Sequence, residues 1–281
     1  MAVLAPPDPR LTEPGTPGEV DDPSDATFPL PDAFLDEAPA PWAARGRSGN
    51  PVPEAAVSAM FDEIAPIYDR LNTLMTLGAD AGWRRAAVAA ARLHAGDTAV
   101  DVACGTGKLS AALAERVGPF GRVLAVDASR GMIDRGRAVF PDLVQLEFRQ
   151  ANALRLPAPD GEFDAATIAF GLRNLADFDA GFRELCRVVR PGGRVVCLEL
   201  SVPRPRAWGH LFQVTFRRLV PWAGRIAAGS RAYGYLPASL DGFPDPDALA
   251  VRMRAAGLQR VTIRRLGLGA VALHVGTVPE G

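Results

Sequence analysis

Two carboxylates flank a glycine-containing loop in this chain, at the spacing of a nucleotide site. Asp101 lies inside the apolar run Thr98-Ala-Val-Asp-Val-Ala-Cys-Gly-Thr-Gly107, and Asp127 ends a second run, Arg122-Val-Leu-Ala-Val-Asp127. The first run reads as a strand that stops at a tight turn and feeds a helix over residues 108–116. Gly105 and Gly107 put no Cβ in the way, so a bound group can approach the unpaired N–H groups of the helix start. An acid roughly twenty residues further on, at the end of the next strand, is where nucleotide-binding folds hold ribose hydroxyls. Loop and acid together predict a cofactor that contains adenosine.

The kind of cofactor follows from details of the loop. A dinucleotide fingerprint has a third glycine for helix packing, and here that position is Ser110. A carboxylate beside the loop, Asp101, would repel a pyrophosphate and attract a sulfonium or an ammonium. The reading is S-adenosylmethionine, with Asp101 near its amino-acid end and Asp127 on its ribose; the alternative for Asp101 is a cap on the turn. Cys104 reads as a small residue where bulk would block the ligand, because no histidine stands at a motif spacing that would make it a nucleophile. His94, His210 and His274 share no ligand spacing with one another or with the cysteines, so no metal is expected.

Strands and helices must alternate to carry these groups. Residues 1–53 are rich in Pro, Asp, Glu and Ala and read as a disordered tail ahead of a domain over 54–281. Met60, Phe61, Ile64 and Ile67 recur at helical spacing, and a second helix is expected over 81–93. These N-terminal helices, within 54–95, would cover the ligand edge of the sheet. Ala128-Ser129 reads as a cap for a helix around Met132, and strands at 146–149 and 163–170, a helix at 179–189 and a strand at 194–200 continue the alternation. The last two strands, 261–266 and 270–275, flank Gly267-Leu-Gly269 as a hairpin, so the sheet should end with an antiparallel strand. The pattern predicts an α/β fold with a mostly parallel, seven-stranded sheet.

Residues 203–240 interrupt the alternation with Trp208, Phe212, Phe216, Trp222, Tyr233 and Tyr235 among arginines, and they contain no acid. This segment reads as a lid over an apolar substrate or a contact with an anionic membrane surface, the alternative being a core helix with solvated arginines. The net charge of −1 gives no reason to expect nucleic acid, and three scattered cysteines fit a reducing cytosol. No run reaches the roughly 18 to 20 apolar residues of a bilayer span. The expectation is a cytoplasmic protein, either soluble or peripheral on the inner face of the membrane. Of the 31 basic residues Lys108 alone is a lysine, a bias to which composition alone attaches no function.

Five further motifs fall into one pattern: Phe61-Asp-x-Ile-Ala-x-x-Tyr68-Asp69-x-x-Asn72, the loop up to Gly107, Asn152-Ala153-x-x-x-Leu-Pro157, Phe170-Gly-Leu-Arg-Asn174, and Arg190-Pro-Gly-Gly-Arg-Val195. Over about residues 57–276 the chain resembles the C-methyltransferases of menaquinone and ubiquinone biosynthesis, which use S-adenosylmethionine. The resemblance implies the class I S-adenosylmethionine-dependent methyltransferase (Rossmann-like) fold. It also implies that Thr106, Asp127, Asn152 and Ala153 bind the cofactor, with Asp101, Cys104, Gly105, Gly107, Ala128 and the position of Ala169 around it. Asn152 would hold the adenine edge and Met132 would pack on the ring. At the substrate it places Tyr68, Arg173 and Asn174 as catalytic groups, with Asn72, Tyr233 and Tyr235 as contacts.

The chemistry of such a site can be argued from the reactants. A sulfonium methyl is already a strong electrophile, so the protein must supply alignment and a nucleophilic carbon. A ring carbon becomes nucleophilic when a neighbouring quinol hydroxyl loses its proton. Arg173 would then stabilise the phenolate or orient a water, while Asn174 or Tyr68 holds the second oxygen; the alternative for Arg173 is a salt bridge with an acid such as Asp177. The chain departs from the family before and after its Tyr-x-Tyr-Leu segment, with Ala228-Gly229 and Ala238-Ser239-Leu240 where acids often stand. The expected reaction is methylation of a prenylated quinol, demethylmenaquinol first. A ubiquinone precursor, another apolar small molecule, or a non-catalytic cofactor-binding subunit are the alternatives. Assembly into a homo-oligomer stays open.

Overall fold

Runs of β-branched residues and alanine, joined at one edge by the alternating run Leu146-Glu-Phe-Arg-Gln150, form the parallel part of one sheet. They are β1 (Thr98–Val102), β2 (Arg122–Asp127), β3 (Leu146–Gln150), β4 (Phe163–Ala169) and β5 (Val189–Leu200). The computed structural model describes residues 48–201, 235, 239–240 and 242–280, all of which belong to one unit, Glu37–Gly281. The sheet is completed by β6 (Gln259–Leu266) and β7 (Val271–Thr277), in the order β3-β2-β1-β4-β5-β7-β6. β1 to β5 pair in parallel, and β7 runs antiparallel to both β5 and β6. The hairpin is therefore present, but its second strand lies inside the sheet and β6 takes the edge.

Alternation along each strand divides the core. Val100, Val102, Leu124, Val126, Ala166 and Ile168 face α6 (Phe178–Val188) and α7 (Pro246–Ala255), with Phe178, Phe182, Leu185 and Met253 buried between. Ala99, Val123, Ala125, Ala165, Val196 and Leu198 face α3 (Ala79–Ala91) and α4 (Lys108–Val117). Helices on both faces follow from strands that are apolar on both sides. Side-chain caps set three helix starts. Ser129 accepts from the Met132 N–H at the head of α5 (Arg130–Val139), Asp177 from Ala180 and Asp245 from Ala248, each worth about 1 kcal/mol.

The strand order reverses between β1 and β4, which opens a crevice at their C-terminal ends. Over this edge lie α1 (Glu54–Ile64) and α2 (Tyr68–Met75). Asp62 of α1 accepts from Ser129 Oγ at 2.6 Å and from the Gly131 N–H at 2.7 Å, and Glu54 accepts from Asn152 Nδ2 at 2.9 Å. The first helix is thus pinned to the loops that follow β2 and β3.

The boundary of the expected tail needs correction. Residues 48–53 are not a loose lead-in. Ser48 O accepts from the Phe178 N–H at 2.8 Å, and the Asn50 N–H donates to Leu175 O at 2.7 Å. Asn50 and Val52 are buried, and a Cβ on Gly49 would stand 1.8 Å from Ala176 O. Pro51 and Pro53 lie within this stretch. Here they suit an extended segment that hydrogen-bonds a neighbouring loop through the residues around them. The stretch 203–240 lies outside the described residues apart from Tyr235, Ser239 and Leu240, so the lid or membrane reading of it falls outside them too.

Candidate active site

Two clefts meet at the reversal point of the sheet. The larger, about 740 Å³ including its open mouth, is walled by Phe61, Asp127, Ala128, Met132, Asn152, Ala153 and Asn174 among others. The second, about 490 Å³ measured the same way, is polar and includes Asp69, Asn72, Asp80, Arg84, Asp101, Thr106 and Lys108. Tyr68, Ala103, Gly105, Ala169 and Phe170 belong to both. Volumes of this size are those of small-molecule sites.

The glycine loop is held from both ends. The Gly105 N–H donates to Asp127 Oδ2 at 2.8 Å, and the Ser129 N–H donates to Oδ1 at 2.9 Å. Each carboxylate oxygen keeps a lone pair, which suits two ribose hydroxyls. Burial raises the Asp127 pKa against these hydrogen bonds. A Cβ on Gly105 would meet only Tyr68, at 3.6 Å, so this glycine faces the cleft. Gly107 does something else. Its Cα packs on Phe148, whose ring would lie 2.5 Å from a Cβ, and it caps α4 at φ +83. It is not among the residues that wall the two clefts.

Asp101 is 1 % exposed, and each of its oxygens accepts one hydrogen bond from a protein hydroxyl. Ser110 Oγ donates to Oδ2 and Thr167 Oγ1 to Oδ1, both at 2.6 Å. Burial pushes its pKa up to about 6 despite the two hydroxyls. Asp101 caps no turn, and Ser110 stands where a third glycine would be because the buried carboxylate needs a donor. Burial, then the charges of Asp127 and Asp101, raise the Cys104 thiol well above its ordinary value. Cys104 is therefore a neutral thiol in the loop and no nucleophile.

At the other end of the larger cleft, Met132 is buried with Ile64, Ala65 and Leu71 under α1 and α2. Ala128, Ala151 and Ala153 complete a narrow apolar slot suited to a flat ring. The Asn152 side chain differs from expectation. Its Oδ1 accepts from the Leu154 N–H at 2.7 Å, closing a turn, and its Nδ2 donates to Glu54. The amide positions loop and helix.

On the acceptor side, the Arg173 side chain is turned into the protein. Its guanidinium is 4 % exposed and lines neither described cleft. Nη1 pairs with Glu199 Oε1 at 2.6 Å and donates to Phe170 O at 2.6 Å, while Nε donates to Ser239 Oγ at 3.1 Å. The partner is Glu199, an acid at the end of β5; Asp177 is the α6 cap. Phe170 stands at φ +58, as Ala103 stands at +52 on the neighbouring strand end. Side chains other than glycine persist there only when surroundings hold them. Arg173 supplies that hold by gripping the Phe170 carbonyl, which keeps the Phe170 ring against Trp83, 6.2 Å between centroids.

Tyr68, Asn174 and Tyr235 do come together at the cleft. Tyr235 donates to Asn174 Oδ1 at 3.1 Å, and Asn50 Nδ2 donates to the same Tyr235 hydroxyl. Tyr68 packs edge-on against Phe61 and hydrogen-bonds Asn72, and burial raises its pKa, so its hydroxyl keeps its proton. Thr106 Oγ1 donates to Asp69 Oδ1 at 2.8 Å. Tyr233 lies outside the described residues. The sequence assigns no role to Asn50, Arg84 or Glu199, and gives Asp69 only a place in a motif. Glu199 had a signal, a lone acid in the apolar run Val195-Val-Cys-Leu-Glu-Leu200; Asn50 had none.

A seven-stranded sheet of this order, with a glycine loop closed by the acid at the end of the second strand and an apolar slot beside it, has the architecture of an S-adenosylmethionine-dependent methyltransferase. Solved structures of that class share the fold. A putative methyltransferase in complex with the Haloferax volcanii Trm112 activator matches with a TM-score of 0.58 at 20 % identity, over 78 % of this chain and 97 % of the other. The sequence matches the ubiE/COQ5 methyltransferase family over residues 50–278, and the chain belongs to that family. The demethylmenaquinone methyltransferase of Thermus thermophilus is 46 % identical over 78 % of this chain and its own full length. That of Deinococcus radiodurans is 43 % identical over 79 % of this chain and 92 % of its own.

Proposed function

We propose that the protein transfers a methyl group from S-adenosylmethionine to a ring carbon of a prenylated hydroquinone, demethylmenaquinol. The observation that carries this reading is the wall shared by the two clefts. Tyr68 stands there beside Gly105, with Asn174 close by and the apolar Ala103, Ala169 and Phe170 around them. The cofactor supplies the electrophilic methyl. Chain residues hold the acceptor: the Tyr68 hydroxyl, kept protonated by burial, donates to one ring oxygen, and Asn174, fixed by Tyr235, meets the other. With Arg173 committed to Glu199, stabilisation of the phenolate falls to these neutral donors. The hydroxyl proton passes to water at the open mouth of the cleft, and after transfer the methylated ring carbon gives up its own proton to restore the quinol, one net proton being released. The relatives from Thermus and Deinococcus carry the name of this reaction.

We further propose that the enzyme works on the cytoplasmic face of the membrane, where a prenylated substrate resides. Support comes from Leu77 and Leu268, 90 % and 80 % exposed at the tips of the turns before α3 and between β6 and β7. Both turns lie at the cleft edge: Trp83 of α3 contacts Phe170, and Val271 pairs with Leu200 at the end of β5. No described helix is long and apolar enough to cross a membrane. The test is methyl transfer to reduced demethylmenaquinol in vesicles, read by mass, beside the oxidised quinone and a ubiquinone precursor. Transfer to the reduced menaquinone precursor is expected. Equal transfer to the oxidised quinone would overturn the mechanism, and preference for the ubiquinone precursor would overturn the substrate.

A further inference from the structure

The polar cleft holds a residue type that the sequence otherwise avoids. Lys108 is the single lysine among 31 basic residues, and it occupies the first position of α4, where the positive end of the helix dipole disfavours a cation. A cation at that position is stabilised by anions in front of it. The structure gives one, Asp69 Oδ1 at 3.2 Å from Nζ, and Asp69 is held in turn by Thr106. The second cation of the cleft, Arg84 of α3, pairs with Asp80 at 2.6 Å, and Thr76 donates to the other oxygen of Asp80 at 3.1 Å. Lys108 and Arg84 are each part exposed to the same cleft.

We infer that Lys108, together with Arg84, receives the carboxylate of the cofactor's amino-acid end. The inference rests on the S-adenosylmethionine reading of the joined clefts. A zwitterion suits this cleft because each cation already faces a carboxylate. The ligand's carboxylate meets Lys108 and Arg84, and its ammonium meets lone pairs left on Asp69 or Asp101. The compact ammonium of lysine lets Nζ keep one N–H on Asp69 and turn others toward the ligand, whereas the planar fork of arginine fixes all its donors at once. This accounts for a lysine here in a chain that uses arginine elsewhere. A carboxylate at this place also meets the anion-favouring end of α4.

Two ligands separate this role from a general one. S-adenosylhomocysteine carries the amino-acid end, and 5′-methylthioadenosine lacks it. By calorimetry, Lys108→Gln is expected to weaken S-adenosylhomocysteine by about tenfold or more and to leave methylthioadenosine unchanged, with Lys108→Arg in between. Equal losses for both ligands, or no loss for either, overturn the inference. If the wild-type chain binds neither ligand, it is the cofactor reading itself that fails. A second readout needs no variant: with one lysine in the chain, acylation by an active ester can be followed on its peptide by mass. S-adenosylhomocysteine should protect Lys108 and methylthioadenosine should not; equal protection, or none, also overturns the assignment.

Discussion

Removing the Arg173 guanidinium should unfold the protein more readily before it does anything specific to methyl transfer. In Arg173→Ala, Glu199 is left 1 % exposed with its ion-pair partner gone. Breaking a buried pair from one side costs about 3–5 kcal/mol, against a total stability of about 5–15 kcal/mol for a typical domain. For a domain of this size that is a fall in melting temperature of roughly 6 to 20 °C. The Phe170 carbonyl and Ser239 lose donors as well, so Phe170 is freed from its left-handed conformation and turnover falls with it. Arg173→Met combined with Glu199→Leu removes both charges and is expected to be more stable than Arg173→Ala alone, yet equally poor in turnover. Urea unfolding of the three proteins, paired with initial rates on reduced quinol, decides the matter. If Arg173→Ala unfolds within about 1 kcal/mol of wild type while turnover collapses, the guanidinium acts on the acceptor and the clamp argument is wrong.

Asp101, whose folded pKa is raised to about 6 from 3.8, costs stability above pH 6 and nothing below its unfolded pKa. Asp101→Asn should therefore gain of order 2–3 kcal/mol on wild type between pH 4 and pH 8, and a pH-independent difference in melting would refute this. Asp127→Ala removes the acceptor of two ribose hydroxyls and the brace of the loop, so S-adenosylhomocysteine affinity should drop by roughly ten- to a hundredfold; unchanged calorimetry would take Asp127 out of the site. Gly49→Ala forces a Cβ onto Ala176 O and should lower the melting temperature, whereas a loose tail would leave it unmoved.

The local features of this fold were readable because their causes are local. A strand ending just ahead of the Gly105 loop, an acid ending the next strand and a Ser129 cap each follow from a few consecutive residues. What the sequence hid were partners across strands. Asp101 and Thr167 sit side by side on β1 and β4, 66 positions apart, and only the pairing register joins them. Arg173 was weighed against Asp177, four residues on, when its counter-ion was Glu199 on the neighbouring strand. Sequence spacing equally does not reveal that Phe148 fills the space above the Gly107 Cα. Placement of β7 inside the sheet was equally silent, since a hairpin's sequence does not say which of its strands meets β5.

The meeting of Asn50, Asn174 and Tyr235 has a consequence for how the two halves of the site come into being. The groups expected to face adenosine lie mainly on a continuous stretch, 101–153, carried by neighbouring strands and their loops. The acceptor side is tied from positions separated by 124, 185 and 61 residues. A chain emerging from the ribosome has therefore made every cofactor group of that stretch well before Tyr235 exists, and the long loops that close the acceptor side form late. The grip on the methyl donor is a product of local folding. Choice of what is methylated waits for the ends of the domain to meet, so changes at 50, 174 or 235 alter the acceptor side without touching the older half of the work.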